Sequence, residues 1–358
     1  MRIKPAFPPS SSIVSSWFWE GYLAIEEGIL GSLGSENLNE LNTIFTGKND
    51  FKKIESFCGT DRSFHGFLNC LEKLTGDADV EIHSKIDLSN NMHVYGTKEF
   101  ISLPPSSIKK TAFSLQIMKV DRYQGISSIE LGTISSQLTP YSDPYATLLL
   151  MVGVLSSFSI RLKSDHYFVL FTPGEIATVE ANLSSYYSFK KTFQNELRDA
   201  ISNLKGWMEE YVYLRMIFNK NVIQKAKESL ASLKINSIDL RIIRIAKEGQ
   251  THKVYVDLPI EINLQSKLYS DPALLETTTD SLSSLSCYAS RFLMGKDAKG
   301  AGYHAYTAIK KLYMYTQTLN PTFLTEYNRE IATMRDIISS DPSVLGNCRS
   351  LPHFIRPQ

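Results

Sequence analysis

An apolar side chain recurs every three or four positions along one stretch in the middle of the chain. The stripe comprises Phe189, Phe193, Leu197, Ile201, Leu204, Met208 and Tyr211. This spacing matches the 3.6 residues of a helical turn, so it predicts amphipathic helix whose apolar face is buried against other elements. We therefore expect a helical region from residue 173 to about residue 234.

The front third of the chain follows a different period. Two helical segments are predicted first, one around Ile13–Ile25 and one over residues 61–74, and alternating apolar and polar residues come next. The alternation covers "DVEIHSKIDL", "MHVYGTKEFISL", "TAFSLQIMKV" and "SSIELGTI", and it predicts four strands. Because the connections between them are short, we expect these strands to be antiparallel neighbours.

The most apolar run, Ala146–Ile160, lies at the end of this front region. It is shorter than the roughly 20 apolar residues of a membrane helix, so it predicts a buried core helix and no membrane span. The next stretch, "SFSIRLKSDHYFVLF", predicts a hairpin that turns at Lys163–Asp165. Thr172, Pro173 and Glu175 then match a capping box at the start of a helix.

The last third contains a predicted long β-hairpin near residues 238–263 and then three predicted helices, Pro272–Leu293, Tyr303–Leu319 and Thr322–Ser339. The expected fold class is α+β, with N-terminal helices and an antiparallel sheet followed by a mainly helical region that contains the inserted hairpin. The change of pattern near Phe171–Ile176 predicts an α+β domain over residues 1–172 and a mainly helical domain over residues 173–358.

Charge is balanced over the whole chain, with a net value of +1, but it is uneven along it. Acidic residues dominate residues 1–100 and basic residues dominate residues 201–358, so a polyanion would meet local patches rather than the whole surface. The four cysteines, Cys58, Cys70, Cys287 and Cys348, are scattered, and the N-terminus does not resemble a secretory leader. These features favour a reducing cytoplasm.

The sequence shows no recognisable catalytic motif. There is no Gly-x-Ser-x-Gly elbow, and "GKDAKGAG" has its lysines in the wrong order for a Walker A loop. Cys58, His65 and Cys70 lack the paired short spacing of a zinc site. We therefore expect a protein that is not an enzyme and that has no metal and no small-molecule cofactor. For an unfamiliar active site, Asp121 and Glu130 would be the first carboxylates to test.

Three lysines, Lys220, Lys227 and Lys234, are spaced seven residues apart. Seven residues make almost two helical turns, so the three ammonium groups share one face of the predicted helix. Two interpretations stay open for this face. It is either a track for the phosphates of a nucleic acid or an ordinary solvated helix surface.

Polar loop residues supply further candidates for nucleic-acid contacts. They are Lys247, Gln250, His252 and Lys253 at the tip of the long hairpin, and Asn90, Asn91, Lys109 and Lys110 in loops of the front sheet. A basic β-ribbon tip can enter a DNA groove, and amide or ammonium groups in loops can contact base edges or phosphates. Solubility and turn formation explain the same residues without a ligand.

The stretch "GKDAKGAGYH", Gly295–His304, has the ingredients of a phosphate cradle. Glycines would leave backbone N–H groups exposed just before a helix that starts near Tyr303, and Lys296 and Lys299 would add positive charge. An ordinary linker between two helices has the same composition, so this alternative also stays open.

The order of these elements, together with the passage "SDPYATLLLMVGVLSSFSIRL" and "HYFVLFTPGEI" between Ser142 and Ile176, resembles a known family. It is the large-subunit family of archaeal type I-A CRISPR surveillance (Cascade) complexes. The resemblance covers most of the chain through its overall character and length. It includes no catalytic motif and no local signature that identifies individual binding residues.

The resemblance implies a non-catalytic, cytoplasmic subunit of an RNA-guided antiviral defence complex. Such a subunit would help to recognise the target-adjacent motif, bind target DNA and recruit the helicase–nuclease. Its partners would be CRISPR RNA, target DNA, the other subunits of the complex and that helicase–nuclease. The alternative is a protein-only scaffold or adaptor without nucleic-acid contact, since the many tyrosines of this chain suit protein interfaces as well as cores.

Overall fold

The computed structural model has helices and an antiparallel four-stranded sheet, so the predicted α+β class is confirmed. It describes residues 9–10, 12–29, 41, 92–95, 117, 139–142, 144–202, 204, 206, 208–231, 233, 235–248, 251–269, 272–297, 299–348 and 351–355. Two short strands, β1 (Met92–Tyr95) and β2 (Thr139–Ser142), pair antiparallel in the front part. The predicted helix over residues 61–74 and the remaining predicted front strands lie outside the described residues, apart from Ile117, which is buried and in a 3₁₀ conformation.

The chain divides into two compact units. Unit 1 comprises Met1–Ser184 and Leu240–Pro259, and unit 2 comprises Ser185–Asp239 and Ile260–Gln358. The sequence predicts one boundary after residue 172, whereas this division assigns a later segment to the front unit. The physical reason is that Leu240–Pro259 supplies strands to the sheet that begins at Phe158.

Unit 1 contains two helices that pack closely, α1 (Ile13–Glu26) and α2 (Pro144–Ser157). Helix α1 begins after Ser12, whose hydroxyl accepts the N–H of Ser15 at 3.2 Å and so caps the first turn. The predicted core helix in the apolar run is confirmed by α2. A third, short helix of this unit is α3 (Ile176–Ala181).

The four-stranded sheet contains β3 (Phe158–Leu162), β4 (Asp165–Phe171), β5 (Ser237–Glu248) and β6 (Thr251–Asn263), in that spatial order. The predicted hairpin at Lys163–Asp165 is confirmed, because Leu162 pairs with Asp165 across an antiparallel turn. Strand β5 continues the sheet on the other side of β4, with Asp165 opposite Ala246 and Phe171 opposite Leu240.

Buried polar contacts connect α1 to its surroundings in unit 1. The indole N–H of Trp17 donates to Ser157 Oγ of α2 at 3.0 Å. The fully buried carboxylate of Glu20 accepts the backbone N–H of Phe171 at 2.7 Å, at the point where β4 ends. A buried carboxylate is costly without partners, and this contact provides one at the last residue of β4.

The helices of unit 2 follow the order predicted from the sequence. They are α4 (Leu183–Ser202), α5 (Glu209–Ile217), α6 (Lys220–Ala231), α7 (Pro272–Leu293), α8 (Ala301–Thr318) and α9 (Pro321–Ser340). Short 3₁₀ turns cover Lys267–Tyr269 and Pro342–Leu345. Asn320 caps α9 by accepting the N–H of Thr322 at 3.0 Å, and Pro321 occupies the first helical position, where proline is favoured.

Two sequence predictions about helix limits are wrong. Thr172 and Glu175 do not form a capping box: the carbonyl of Thr172 accepts the N–H of Glu175 in a turn, and the helix begins only at Ile176. The region from residue 173 to residue 234 is interrupted rather than continuous. Its apolar stripe is nevertheless buried at every position except Leu204, which is half-buried and lies between two helices.

Cys287 and Cys348 form a disulfide across 61 positions of sequence. The scattered spacing of the cysteines gave no sign of this pair, because the fold brings the two residues together only after α8 and α9 have returned the chain to α7. Such bonds are rare in a reducing cytoplasm, although intracellular proteins of hyperthermophilic archaea commonly have them. The spacing of the cysteines therefore does not indicate the compartment of this protein. Among the described helices, none combines the length and the apolar character required to span a membrane.

Candidate nucleic-acid interface

Of the residues proposed from the sequence, the structure describes Lys220, Lys227, Lys247, His252, Lys253, Lys296 and Lys299. The other candidates lie outside the described residues; they are Asn90, Asn91, Lys109, Lys110, Lys234 and Gln250. The described lysines fall on three local structures, namely helix α6, the strands β5 and β6, and the turn between α7 and α8.

On α6, the side chains of Lys220 and Lys227 are both exposed. The opposite face of the helix is buried through Val222, Ile223, Ala226 and Leu230. This apolar face fixes the rotation of the helix, so the two lysines are held toward the solvent on one side. The helical rise places them about 10 Å apart along the axis.

The carboxylates on and near α6 are already engaged with other groups. Glu196 accepts hydrogen bonds from the amides of Asn219 at 2.7 Å and Asn221 at 2.6 Å. Glu228 accepts the amide of Gln224 at 2.9 Å and lies 3.8 Å from the ammonium of Lys225. Within the described part of the chain, Lys220 and Lys227 form no ion pair. Their positive charges are therefore not neutralised by the helix itself.

The strands β5 and β6 carry the second group. Lys247 is exposed near the end of β5, and Lys253 is half-buried near the start of β6. His252, which the sequence placed on a polar tip, is instead buried. Burial and, to a smaller extent, the nearby positive charge of Lys247 together lower the pKa of His252 to about 4. This histidine is neutral at pH 7 and does not contribute to a basic tip.

Sequence reasoning missed Tyr255, which exposes half of its surface on β6. The guanidinium of Arg244 lies over its ring, 5.7 Å from the centroid, and is held there by the carboxylate of Asp165 at 2.7 Å. Strand alternation puts Lys253 and Tyr255 on the same face of β6. This alternation along the strand was the sequence signal that could have identified Tyr255 as a neighbour of Lys253. An exposed aromatic ring beside basic groups is a surface on which an unpaired base can stack.

The turn between α7 and α8 is not a phosphate cradle. Two N–H groups of the first turn of α8, those of Gly302 and Tyr303, donate to the carboxylate of Asp297 at 2.9 and 2.8 Å. Gly302 is required there, because a Cβ on it would lie 2.6 Å from the carbonyl oxygen of Tyr288. The chain's own carboxylate therefore occupies the position that a phosphate would take.

The two lysines of this turn are exposed, but their surroundings differ from those on α6. Lys299 lies 3.7 Å from the carboxylate of Asp341. Lys296 continues the turn, and its backbone N–H donates to the carbonyl of Arg291 at 2.8 Å. With the helix N-terminus already capped, these residues fit the linker interpretation better than the phosphate-binding one.

The described residues contain no group of three or more histidine, cysteine, aspartate and glutamate side chains arranged to hold a metal ion. Asp121, Glu130, Cys58, Cys70 and His65 lie outside the described residues. Exposed lysines and an exposed tyrosine are the candidate binding groups on the described surfaces.

Comparison with known proteins gives one similarity and no family. The chain is 26% identical over 304 residues to an uncharacterized protein of Archaeoglobus fulgidus, across 77% of this chain and 74% of that protein. No protein-family model matches the chain, and no solved structure matches it.

Proposed function

We propose that this chain is a non-catalytic subunit of a CRISPR RNA-guided surveillance complex in antiviral defence and that it holds nucleic acid through basic side chains. The observation that carries the proposal is the pair Lys220 and Lys227 on α6. Both are exposed and unneutralised by the helix, while Glu196 and Glu228 are bound to other groups. Ion pairs between these two lysines and carboxylates of the same helix would stabilise a merely solvated surface by a few tenths of a kcal/mol. Neither lysine has such an ion pair among the described residues.

The geometry of the pair suits a polymer of phosphates. Their separation of about 10 Å corresponds to roughly three nucleotides at 3.4 Å per step. Two such contacts hold a backbone weakly and carry no sequence information. This fits a subunit that shares its nucleic acid with neighbouring subunits, and it also fits the near-neutral charge of the chain.

The face of β6 with Tyr255 supports contact with an unpaired strand. A base stacked on an exposed aromatic ring gains about 1–3 kcal/mol in any sequence. The guanidinium of Arg244, which is ion-paired with Asp165, lies against one face of the ring. A subunit that helps to open a duplex needs a surface of this kind, because guide pairing displaces one target strand. Two further parts of the proposal, recognition of the target-adjacent motif and recruitment of the helicase–nuclease, are based on the family resemblance.

Ultraviolet cross-linking of the assembled particle tests the proposal. The tagged chain would be purified with its companion subunits and CRISPR RNA, mixed with target DNA and irradiated. We expect a nucleotide adduct on the peptide that contains Tyr255, and its loss in a Tyr255→Leu variant. Tyr303, equally exposed on α8, provides an internal control that should remain unmodified. Purification of a particle that contains protein alone, without adducts, would favour the scaffold alternative.

A further inference from the structure

Two turns of unit 1 lie at the same end of the four-stranded sheet. The first consists of Lys163 and Ser164 and connects β3 to β4. The first residue of β4, Asp165, lies opposite Ala246 near the end of β5, and the two strands are antiparallel. The second turn connects β5 to β6, so it begins at this same end. Because neighbouring strands are about 4.8 Å apart, roughly 10 Å separates the two turns across the sheet.

Both turns carry basic side chains. At the first turn Lys163 is exposed, and the half-buried guanidinium of Arg161 donates to the carbonyl of Lys163 at 3.0 Å. At the second turn Lys247 is exposed and Lys253 is half-buried. The sequence between these two lysines contains one acidic residue, Glu248. This end of the sheet therefore has an excess of positive charge.

The carboxylate that follows the first turn is already engaged with other groups. One oxygen of Asp165 lies 2.7 Å from the guanidinium of Arg244, and the other accepts the hydroxyl of Ser164 at 3.2 Å. Within the part of the chain that the structure describes, neither Lys163 nor Lys247 forms an ion pair. The charges of these two lysines are therefore available to an anionic ligand.

The backbone conformation of Lys163 is one that favours glycine. Its φ is +56°, and among the described residues Lys163 is one of two other than glycine with a positive φ. Glycine is the preferred residue where a two-residue hairpin loop needs a positive φ at its first position. A lysine there costs stability relative to glycine, so formation of the turn does not explain its presence. Residues strained in this way concentrate at binding and catalytic sites.

An exposed aromatic ring lies beside these cations. The ion pair of Asp165 and Arg244 connects β4 to β5, and the guanidinium of Arg244 lies over the ring of Tyr255 on β6. Half of the surface of Tyr255 is exposed. Such a ring can stack on an unpaired base. Groups for phosphates and a group for a base thus occur together at one end of the sheet.

We propose that the two turns form one binding surface for an unpaired nucleic-acid strand. Phosphates of the strand contact the basic side chains of both turns, and one of its bases stacks on Tyr255. The basic side chains are Arg161, Lys163, Lys247 and Lys253. This inference rests on the proposed function and deepens it, because it adds Arg161 and Lys163 to the interface and specifies a single-stranded ligand. Phosphate contacts and stacking are both tolerant of sequence, which suits a displaced target strand.

Fluorescence anisotropy with the full-length chain and a labelled oligothymidylate of about 15 nucleotides, enough for one such site, tests this inference. The wild type should bind the oligonucleotide more tightly than a duplex of the same length. Lys163→Gly removes one charge and relieves the turn, so it should weaken binding and make the logarithmic salt slope shallower by about 0.7, the value for one phosphate contact on a single strand. Its melting temperature should be unchanged or higher, which separates binding from folding.

Two further variants complete the series. Tyr255→Leu should weaken binding at every salt concentration and keep the wild-type slope, because stacking releases no counterions. Lys191→Ala removes one exposed lysine of α4 and is the matched control, so its affinity and slope should equal those of the wild type.

Three results would overturn the inference: equal slopes for the wild type and Lys163→Gly, tighter binding of the duplex, or no binding of the oligonucleotide at low salt. The proposed function would stand beside any of them if the Lys220→Ala/Lys227→Ala variant still weakened target binding by the assembled particle. It would fail together with the inference if that variant bound normally and the particle carried no nucleotide adduct.

Discussion

The backbones of α1 and α2 touch at Gly21 and Gly153. A Cβ on Gly153 would lie 1.8 Å from the carbonyl oxygen of Trp17, and a Cβ on Gly21 would lie 1.9 Å from that of Leu149. Real side-chain atoms cannot approach a backbone so closely, so each helix requires the glycine of the other. This contact positions Trp17, which donates to Ser157, and Glu20, which ends β4.

A Gly153→Ala substitution should destabilise unit 1 by about 1–3 kcal/mol or more, because the added methyl forces two backbones apart. Alanine has a higher helix propensity than glycine by about 1 kcal/mol, which partly offsets this destabilisation. The measured change in the free energy of unfolding will therefore be smaller than the cost of the steric clash itself. Chemical denaturation measures the change. Gly174→Ala is the matched control, since a Cβ there meets no atom within 4 Å. Equal effects of the two substitutions would contradict the close contact.

Reduction of the Cys287–Cys348 disulfide should lower the melting temperature of the chain. The bond closes a loop of 61 positions that includes α8 and α9, and loop-closure entropy gives a stabilisation of about 4 kcal/mol in the chain-entropy model. Thermal denaturation with and without a dithiol reductant measures the shift. A Cys287→Ser variant should already melt at the lower temperature and should not respond to the reductant. A response in that variant would assign the effect to other cysteines.

The chain should lose stability as the pH falls from about 6.5 to about 4. The folded chain keeps the pKa of His252 at about 4 by burial, whereas an unfolded histidine titrates near 6.5. Between these values the unfolded chain binds a proton that the folded chain does not, so the unfolded state gains stability on acidification. Neither ring nitrogen of His252 has a hydrogen-bond partner among the described residues. The loss has an upper limit of roughly 3 kcal/mol.

Denaturant midpoints measured between pH 4 and pH 8 test this prediction. A His252→Phe variant keeps an aromatic ring at the position and removes the titration, so its stability should vary less over the same window. A wild-type curve that is as flat as that of the variant would show that His252 is not kept neutral by the fold.

An Asp297→Ala substitution should destabilise unit 2 by about 0.5–2 kcal/mol, because the N–H groups of Gly302 and Tyr303 lose their acceptor. Denaturation by urea measures the difference. Asp336→Ala, at an exposed position of α9, is the control and should change stability by less than about 0.5 kcal/mol. If the two substitutions cost the same, the carboxylate does not cap α8.

The sequence predicts most of the helices because their signals are local. Pro272 and the Asn320–Pro321 pair mark two helix starts, and each helix has an apolar stripe of its own. The hairpin at Lys163–Asp165 follows from alternation over a short distance. The start of α3 could not be predicted in this way. It follows β4, whose last residue, Phe171, donates its N–H to Glu20, a residue 151 positions away.

The candidate site was predictable only in part, for similar reasons. The spacing of Lys220 and Lys227 places them on one face of a helix whatever the tertiary structure. Whether those charges are neutralised depends on Glu196, on another helix. In the turn between α7 and α8, the role of Asp297 was predictable, because an acidic residue just before a helix favours capping of its N-terminus. The pairing of Cys287 with Cys348 has no local signal at all.

The claim that Lys220 and Lys227 hold a nucleic-acid backbone is tested most directly by the salt dependence of target binding. The dissociation constant of the assembled particle for its duplex target would be measured over a range of salt concentrations. The Lys220→Ala/Lys227→Ala variant should bind more weakly, with a logarithmic slope shallower by up to about 1.8, or roughly 0.9 for each lost phosphate contact. Lys225→Ala should keep the wild-type slope, because Lys225 already lies beside Glu228. Unchanged affinity and slope in the double variant would contradict the claim.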